Sequence, residues 1–323
     1  MTDNKIAYQP QAVLRKRNAL PSARLTTKRD FKKNWSLYLI VLPVVAYYII
    51  FAYMPMYGAV IAFKSFSLKY GILGSPWVGF RYFEQFFTSP YFKRILLNTL
   101  RISGYSILFG FPAPIILALL INEIKSRKFV KFVQTASYLP HFISLVVVCS
   151  LIREFTVQDG LINDFFAMFG AERTNMLSYS SRFTTIYVLS GIWQELGWGA
   201  IIYLAALTGV DQEIYEAARI DGAGRWRQTL HVTLPGIMPT VVVMLILTLG
   251  GTMSVGFEKI ILLYSPLTYD KADVISSFVY RVGLKDQNYS YSAAVGLFNS
   301  VINFALIVAA NMLSRRVGET SLW

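Results

Sequence analysis

Residues 213–235, EIYEAARIDGAGRWRQTLHVTLP, lie between two of the most apolar runs in the chain and carry four charged side chains in nine residues: Glu213, Glu216, Arg219 and Asp221. Such a cluster can move protons, hold a metal or bind a partner. The first two chemistries lack their other participants. The two histidines, His141 and His231, fall in an apolar run and in the charged stretch, so they do not make an acid–base pair. Cys149 is the single cysteine; it permits no internal disulfide and no cysteine metal cage, and reads as a small core residue. The dipeptide Gly-Lys does not occur, which removes the Walker A phosphate cradle, and HExxH is absent as well. No catalytic residue is expected, and no metal or cofactor bound by this chain. Recognition is what the charges are suited to.

The rest of the chain decides where that recognition happens. Of 323 residues, 54% are hydrophobic and only 15% charged, against about 25% charged in a soluble domain. The mean hydropathy is +0.46. A net charge of +13 is compatible with nucleic-acid binding, but the basic residues are scattered between apolar runs and gather mainly in the N-terminal tail. A topological cause explains them better, and no nucleic-acid partner is expected. About 20 consecutive apolar residues cross a bilayer, and six stretches qualify: 35–57, 96–121, 132–152, 183–207, 236–255 and 293–313. The first exceeds the ~7–15 residues of a cleavable signal core and reads as an uncleaved anchor. These runs are too long and too continuously apolar for a membrane β-barrel. The expected fold is therefore an all-α membrane protein with six transmembrane helices.

With the N-terminus inside, residues 1–34, 122–131, 208–235 and 314–323 hold 18 of the 31 Lys and Arg, and their net charge is +10 against +3 for the remainder. The bias places both termini in the cytoplasm. The organisation is a basic tail (1–34), one membrane domain (35–313) and a short C-terminal tail (314–323). The basic tail abuts the first span, where anionic lipid would hold it, with an amphipathic helix as an option. The charged loop, 208–235, is then cytoplasmic. Within it Asp211 can cap a helix in which Glu213 and Glu216 suit the dipole. Asp221-Gly222 then breaks that helix, since glycine takes the left-handed conformation of a sharp stop. A second short helix around 223–231 would carry Trp226 and Leu230 on one face, ending at Leu234-Pro235. Two readings fit this knob: an interfacial amphipathic helix closing off a span, or a docking element with an apolar centre and a charged rim.

The arrangement Glu216-Ala217-Ala218, three residues, Gly222, nine residues, then Val232-Thr233-Leu234-Pro235 resembles the EAA loop of permease subunits in binding-protein-dependent ABC importers. Val232 stands where the family pattern has isoleucine. The segments MPMYGAVIAFKSFS, YLPHFIS, WQELGWGAIIYLAALTGV and GFEKIILLYSPLTYDKADVISSFVYRVGL extend the resemblance over nearly the whole chain from Asn34 onward, within the branch that imports oligosaccharides of complex polysaccharides. The resemblance implies a bacterial cytoplasmic (inner) membrane permease. It also implies a second permease subunit, a dimer of ATPase subunits that uses ATP and Mg, and an extracytoplasmic solute-binding protein delivering an oligosaccharide of alginate or pectin type. It further implies that the loop is a coupling helix seated in a groove of the ATPase. Glu216 would face a basic group there, Ala217 would pack closely, and Gly222 would make the turn. Glu213, Ala218, Arg219, Asp221, Trp226, Leu234 and Pro235 complete the contact set.

Polar residues inside spans are expensive and often line a pathway. In the fourth span Gln194 and Trp198 share a face, flanked by Trp193 and Glu195; in the sixth, Asn299 and Asn303 lie with Gly296 at helical spacing. Sugars are held by aromatic faces and hydrogen-bonding side chains, so these six are pathway candidates. The alternative for each is a structural bond to a neighbouring helix or a place in the interfacial belt. The rival function is an ion-coupled secondary transporter, for which Glu195 would be the buried proton site. A structural scaffold is disfavoured by the detail of the loop match, and an intramembrane enzyme lacks a catalytic constellation.

Overall fold

The computed structural model describes residues 34–317. The basic tail with its candidate amphipathic helix (residues 1–33) and the last six residues of the C-terminal tail lie outside the described residues. Two compact units are present, one ending at Tyr57 and the other beginning at Gly58. Among the described residues there is no strand, only an isolated antiparallel bridge between Lys64 and Trp77.

The principal helices, in chain order, are α1 (Trp35–Phe63), α2 (Arg81–Thr88), α3 (Pro90–Asn122), α4 (Arg127–Phe142), α5 (Leu145–Thr156), α6 (Ser180–Leu207), α7 (Gln212–Ile220), α8 (Arg225–Gly250), α9 (Phe257–Leu263), α10 (Ile275–Tyr280) and α11 (Tyr289–Val317), with shorter helical turns between them, among them Leu161–Ala167. Four of them, α1, α3, α8 and α11, are both long and apolar enough to cross a membrane. They match the first, second, fifth and sixth expected spans. The fourth is a single helix of 28 residues, α6, about 42 Å long. It is long enough to cross, but its polar SGIWQELGWG run leaves it less apolar than the other four.

The third expected span is not one straight helix. Arg127–Phe142 and Leu145–Ala167 meet at 100°. Pro140 sits in a tight turn, Leu139–Phe142, after which Ile143 is extended and the Ser144 hydroxyl accepts from the Val147 amide to start α5. A proline and a new N-cap in adjacent turns are enough to stop one helix and begin another.

Three buried clusters hold the second unit together, and α6 supplies two of them. Near its start Phe183 and Tyr187 pack with Ile102, Val148, Ile260 and Leu263. Near its end Ala200, Tyr203 and Leu207 pack with Ile115 and Ile237. Between them α6 crosses α4 so closely that a Cβ built on Gly197 would lie 2.2 Å from the Ser137 carbonyl oxygen. Cys149 is buried in the first cluster, as its apolar surroundings predict. The third cluster joins α2, α3, α10 and α11 through Phe86, Ile95, Ile275, Phe278 and Val295.

Residues 256–292 form several short helices; Ile260, Leu263, Val274, Ile275 and Phe278 are buried, whereas Leu267 and Leu284 are exposed. Asp273 is fully buried. It accepts from both Arg281 guanidinium nitrogens at 3.1 and 2.6 Å and from the Ser277 hydroxyl at 2.8 Å. Arg94 of α3 lies 3.7 Å away. Asn98 of α3 donates to the Asp270 and Asp273 carbonyls at 3.0 Å each. A buried carboxylate with this many donors clips the segment to α3.

Candidate functional site

The charged loop folds largely as its local sequence requires. The Asp211 carboxylate accepts from the Glu213 amide at 2.9 Å and caps α7. The helix stops at Ile220, and Gly222 takes a φ of +77°, which a side chain disfavours. Expected to end at Leu234-Pro235, the second helix instead runs unbroken from Arg225 to Gly250. The reason is a π turn, Thr229–Thr233, immediately ahead of Pro235. The wider turn relaxes the backbone where proline brings no N–H. The loop's second arm is thus an extension of the fifth apolar helix.

One face of this unit is anchored. Tyr215 donates to the Thr233 hydroxyl at 2.9 Å, Gln228 donates to the Ala223 carbonyl at 2.6 Å, and Arg225 lies 3.7 Å from Glu123 just beyond α3. Tyr215, Val232 and Leu234 also pack against the cluster formed by α3, α6 and α8. The other face is free of protein. Glu213, Glu216, Ala217, Arg219, Asp221, Gly222, Trp226 and Pro235 are exposed, and Ala218 and Leu234 are half-buried. Among the described residues, none of the four charged side chains Glu213, Glu216, Arg219 and Asp221 has an ion-pair partner. Ile220 and Trp226 are 86% and 72% exposed, so the face pairs bare apolar surface with unpaired charge.

The pathway candidates separate. Gln194, Glu195 and Trp198 line one cavity of about 700 Å³ bordered by α3, α6, α8 and α9. The His141 ring stacks on Trp198 with centroids 4.3 Å apart and planes within 3°, and its Nδ1 lies 3.0 Å from Glu195 Oε2. Trp193 lies on another face of α6 and lines a different cavity. Asn303 accepts from the Met253 amide at 2.9 Å and donates to the Ser254 hydroxyl at 2.8 Å, tying down the segment after α8. Asn299 lines a third cavity with Gly296, and its Oδ1 is buried with no partner among the described residues.

Polar residues outside the pathway candidates also belong to this region. His141 packs beside the cavity against Trp198 and Glu195. Glu258 and Lys259 of α9 line it, and Lys259 is only 7% exposed. Its ammonium donates to the Tyr187 carbonyl at 3.2 Å and sits 5.0 Å from the centre of the Tyr187 ring. Burial pulls its pKa down to about 8, with Cys149 and Glu195 acting in the opposite direction. The available signal was a lysine third in the apolar run FEKIILL. Glu195, by contrast, leaves 57% of its side chain exposed. Within this chain it is not the buried acid that the ion-coupled reading expected.

Residues 110–319 match the family described as the binding-protein-dependent transport system inner membrane component. The chain belongs to that family. It is 46% identical over 288 residues to the polygalacturonan/rhamnogalacturonan transport system permease protein YteP of Bacillus subtilis (strain 168), covering 89% of this chain and 90% of that one. It is 44% identical over 297 residues to the protein LplB of the same organism, covering 92% of each. A crystal structure of a bacterial ABC transporter involved in the import of the acidic polysaccharide alginate contains a chain that superposes with a TM-score of 0.84 at 44% identity, covering 90% of this chain and 99% of that one. The alginate transporter in complex with an alginate pentasaccharide-bound periplasmic protein gives a TM-score of 0.85 at 43% identity, covering 91% and 99%. The permease therefore has an ABC importer fold, and its relatives are transport proteins, not enzymes.

Proposed function

We propose that this permease forms half of the translocation pathway of an ATP-driven importer for an acidic oligosaccharide of alginate or pectin type. It takes its motion from a separate ATPase dimer through α7. In this reading the chain crosses the membrane six times, α6 and the bent α4–α5 pair supplying the crossings beyond the four apolar helices, with both termini cytoplasmic. A second permease chain completes the pathway, and an extracytoplasmic binding protein delivers the sugar. ATP and Mg belong to the ATPase, and this chain binds neither.

The observation that carries the proposal is the α7 face. It is anchored to the helix bundle on one side and presents unpaired charge and exposed apolar side chains on the other. A segment built to transmit force needs both a rigid root and a partner-ready surface. The cavity on α6 supports the cargo: Trp198 offers an aromatic body, Gln194 and Glu195 offer hydrogen bonds to hydroxyls, and Lys259 is a cation suited to a uronate carboxylate.

The test is co-purification from native membranes of wild type and Glu216→Lys, followed by ATPase assay. The wild type brings down an ATPase and a second permease, and the charge reversal releases or uncouples the ATPase. A wild type that purifies alone and transports without ATP overturns the proposal.

A further inference from the structure

A groove of about 730 Å³ lies between α6 and the Leu145–Ala167 arm, on a side of α6 that excludes Gln194, Glu195 and Trp198. Its α6 wall follows a stripe at helical spacing, Arg182, Ile186, Leu189 and Trp193. Both Leu189 and Trp193 are well exposed, as are Phe155 and Phe166 on the opposite wall. The groove is therefore an apolar channel open to its surroundings, and water is the wrong solvent for it.

One end is different. Arg182 and Glu172 share the mouth of the groove. The Arg182 guanidinium lies 4.9 Å from the centre of the Tyr179 ring and donates to the Thr174 hydroxyl. Among the described residues neither Arg182 nor Glu172 has an ion-pair partner. Two opposite charges at one mouth, not neutralising each other, are the complement of a zwitterion.

Length identifies the occupant. From Arg182 to Trp193 is eleven residues of helix, about 16 Å at ~1.5 Å per residue. That is half of a hydrocarbon core of about 30 Å, one leaflet. A transmembrane helix would need a groove over about 20 residues, and this one ends at Trp193. We propose that the groove is a binding site for one phosphatidylethanolamine molecule, with its phosphate on Arg182, its ammonium on Glu172 and an acyl chain running past Leu189 to Trp193. A phosphatidylglycerol headgroup would satisfy Arg182 but leave Glu172 beside a net negative charge. Phosphatidylcholine would bring a bulkier cation with no N–H to donate.

The test uses the importer complex in nanodiscs doped with lipids brominated at mid-chain, reading the fluorescence that Trp193→Phe removes. Brominated phosphatidylethanolamine quenches this component saturably, about tenfold more effectively than brominated phosphatidylglycerol or phosphatidylcholine, as expected for a charge-assisted hydrogen bond. Arg182→Gln weakens the phosphatidylethanolamine effect about tenfold, and Glu172→Gln brings phosphatidylethanolamine and phosphatidylglycerol level. Equal quenching by all three lipids means bulk contact and overturns the proposal. Quenching by none means that protein covers the groove, and overturns it too.

Discussion

Replacing Gly197 with alanine adds one methyl group where α6 crosses α4. The new Cβ would sit 2.2 Å from the Ser137 carbonyl oxygen and 2.4 Å from its carbon, where ordinary contact begins at 3.4 Å. Backbone atoms cannot rotate away as a side chain can, so the two helices must part by about 1 Å. Overpacking of this kind costs about 1–3 kcal/mol. The stack of His141 on Trp198, one residue further along, is worth another ~0.5–1.5 kcal/mol and loses its 4.3 Å spacing. The partly exposed His141–Glu195 bond adds at most about 1 kcal/mol. Together the expected loss is about 2–5 kcal/mol, a fall in melting temperature on the order of 10 °C. The assay is thermal unfolding of the detergent-solubilised permease, with Gly104→Ala as control. Gly104 also lies in a helix, but nothing comes within 4 Å of a Cβ built there. That variant should be neutral, or more stable by up to about 1 kcal/mol. If Gly197→Ala is as stable as Gly104→Ala, the close crossing of α6 and α4 is not what holds the cavity wall in place.

Asp273→Asn should destabilise the same unit by about 3–5 kcal/mol, because Arg281 is left without its buried partner. Adding Arg281→Met should recover part of the loss, read in the same thermal assay. Lys259 gives a pH signature. Its pKa is about 8 in the fold against 10.5 unfolded, so below pH 8 the buried charge costs about 3 kcal/mol. The folded protein releases the proton first as pH rises. The wild type should therefore gain stability between about pH 8 and 10.5, and Lys259→Met should show no such slope while importing uronate oligosaccharides more slowly. A Lys259→Met variant with the wild-type slope would show that another group titrates there.

Local chemistry made much of this protein legible before any fold was known. Asp211 caps and Gly222 stops α7 because each acts on its own backbone, within a few residues. The apolar runs announce α1, α3, α8 and α11 because a bilayer-crossing helix must bury its own hydrogen bonds within one continuous segment. The spaced EAA pattern falls between two such runs, inside the residues 110–319 that match the family. The bend after Pro140 and the uninterrupted α8 through Pro235 were harder to read, since a proline stops a helix or merely loosens it according to its surroundings. Helical periodicity could put Gln194 and Trp198 on one face, but not say what that face would meet. Only the packed bundle brings His141 against Trp198 and Glu195, commits Asn303 to Met253 and Ser254, turns Trp193 toward a separate groove and buries Lys259 beside Tyr187. Those contacts join residues tens of positions apart. Sequence by itself determined the four most apolar helices, where the loop would cap and turn, and that the chain belongs in a membrane. The tertiary structure decided which polar side chains share a cavity, because that depends on the rotation of each helix against neighbours distant in sequence.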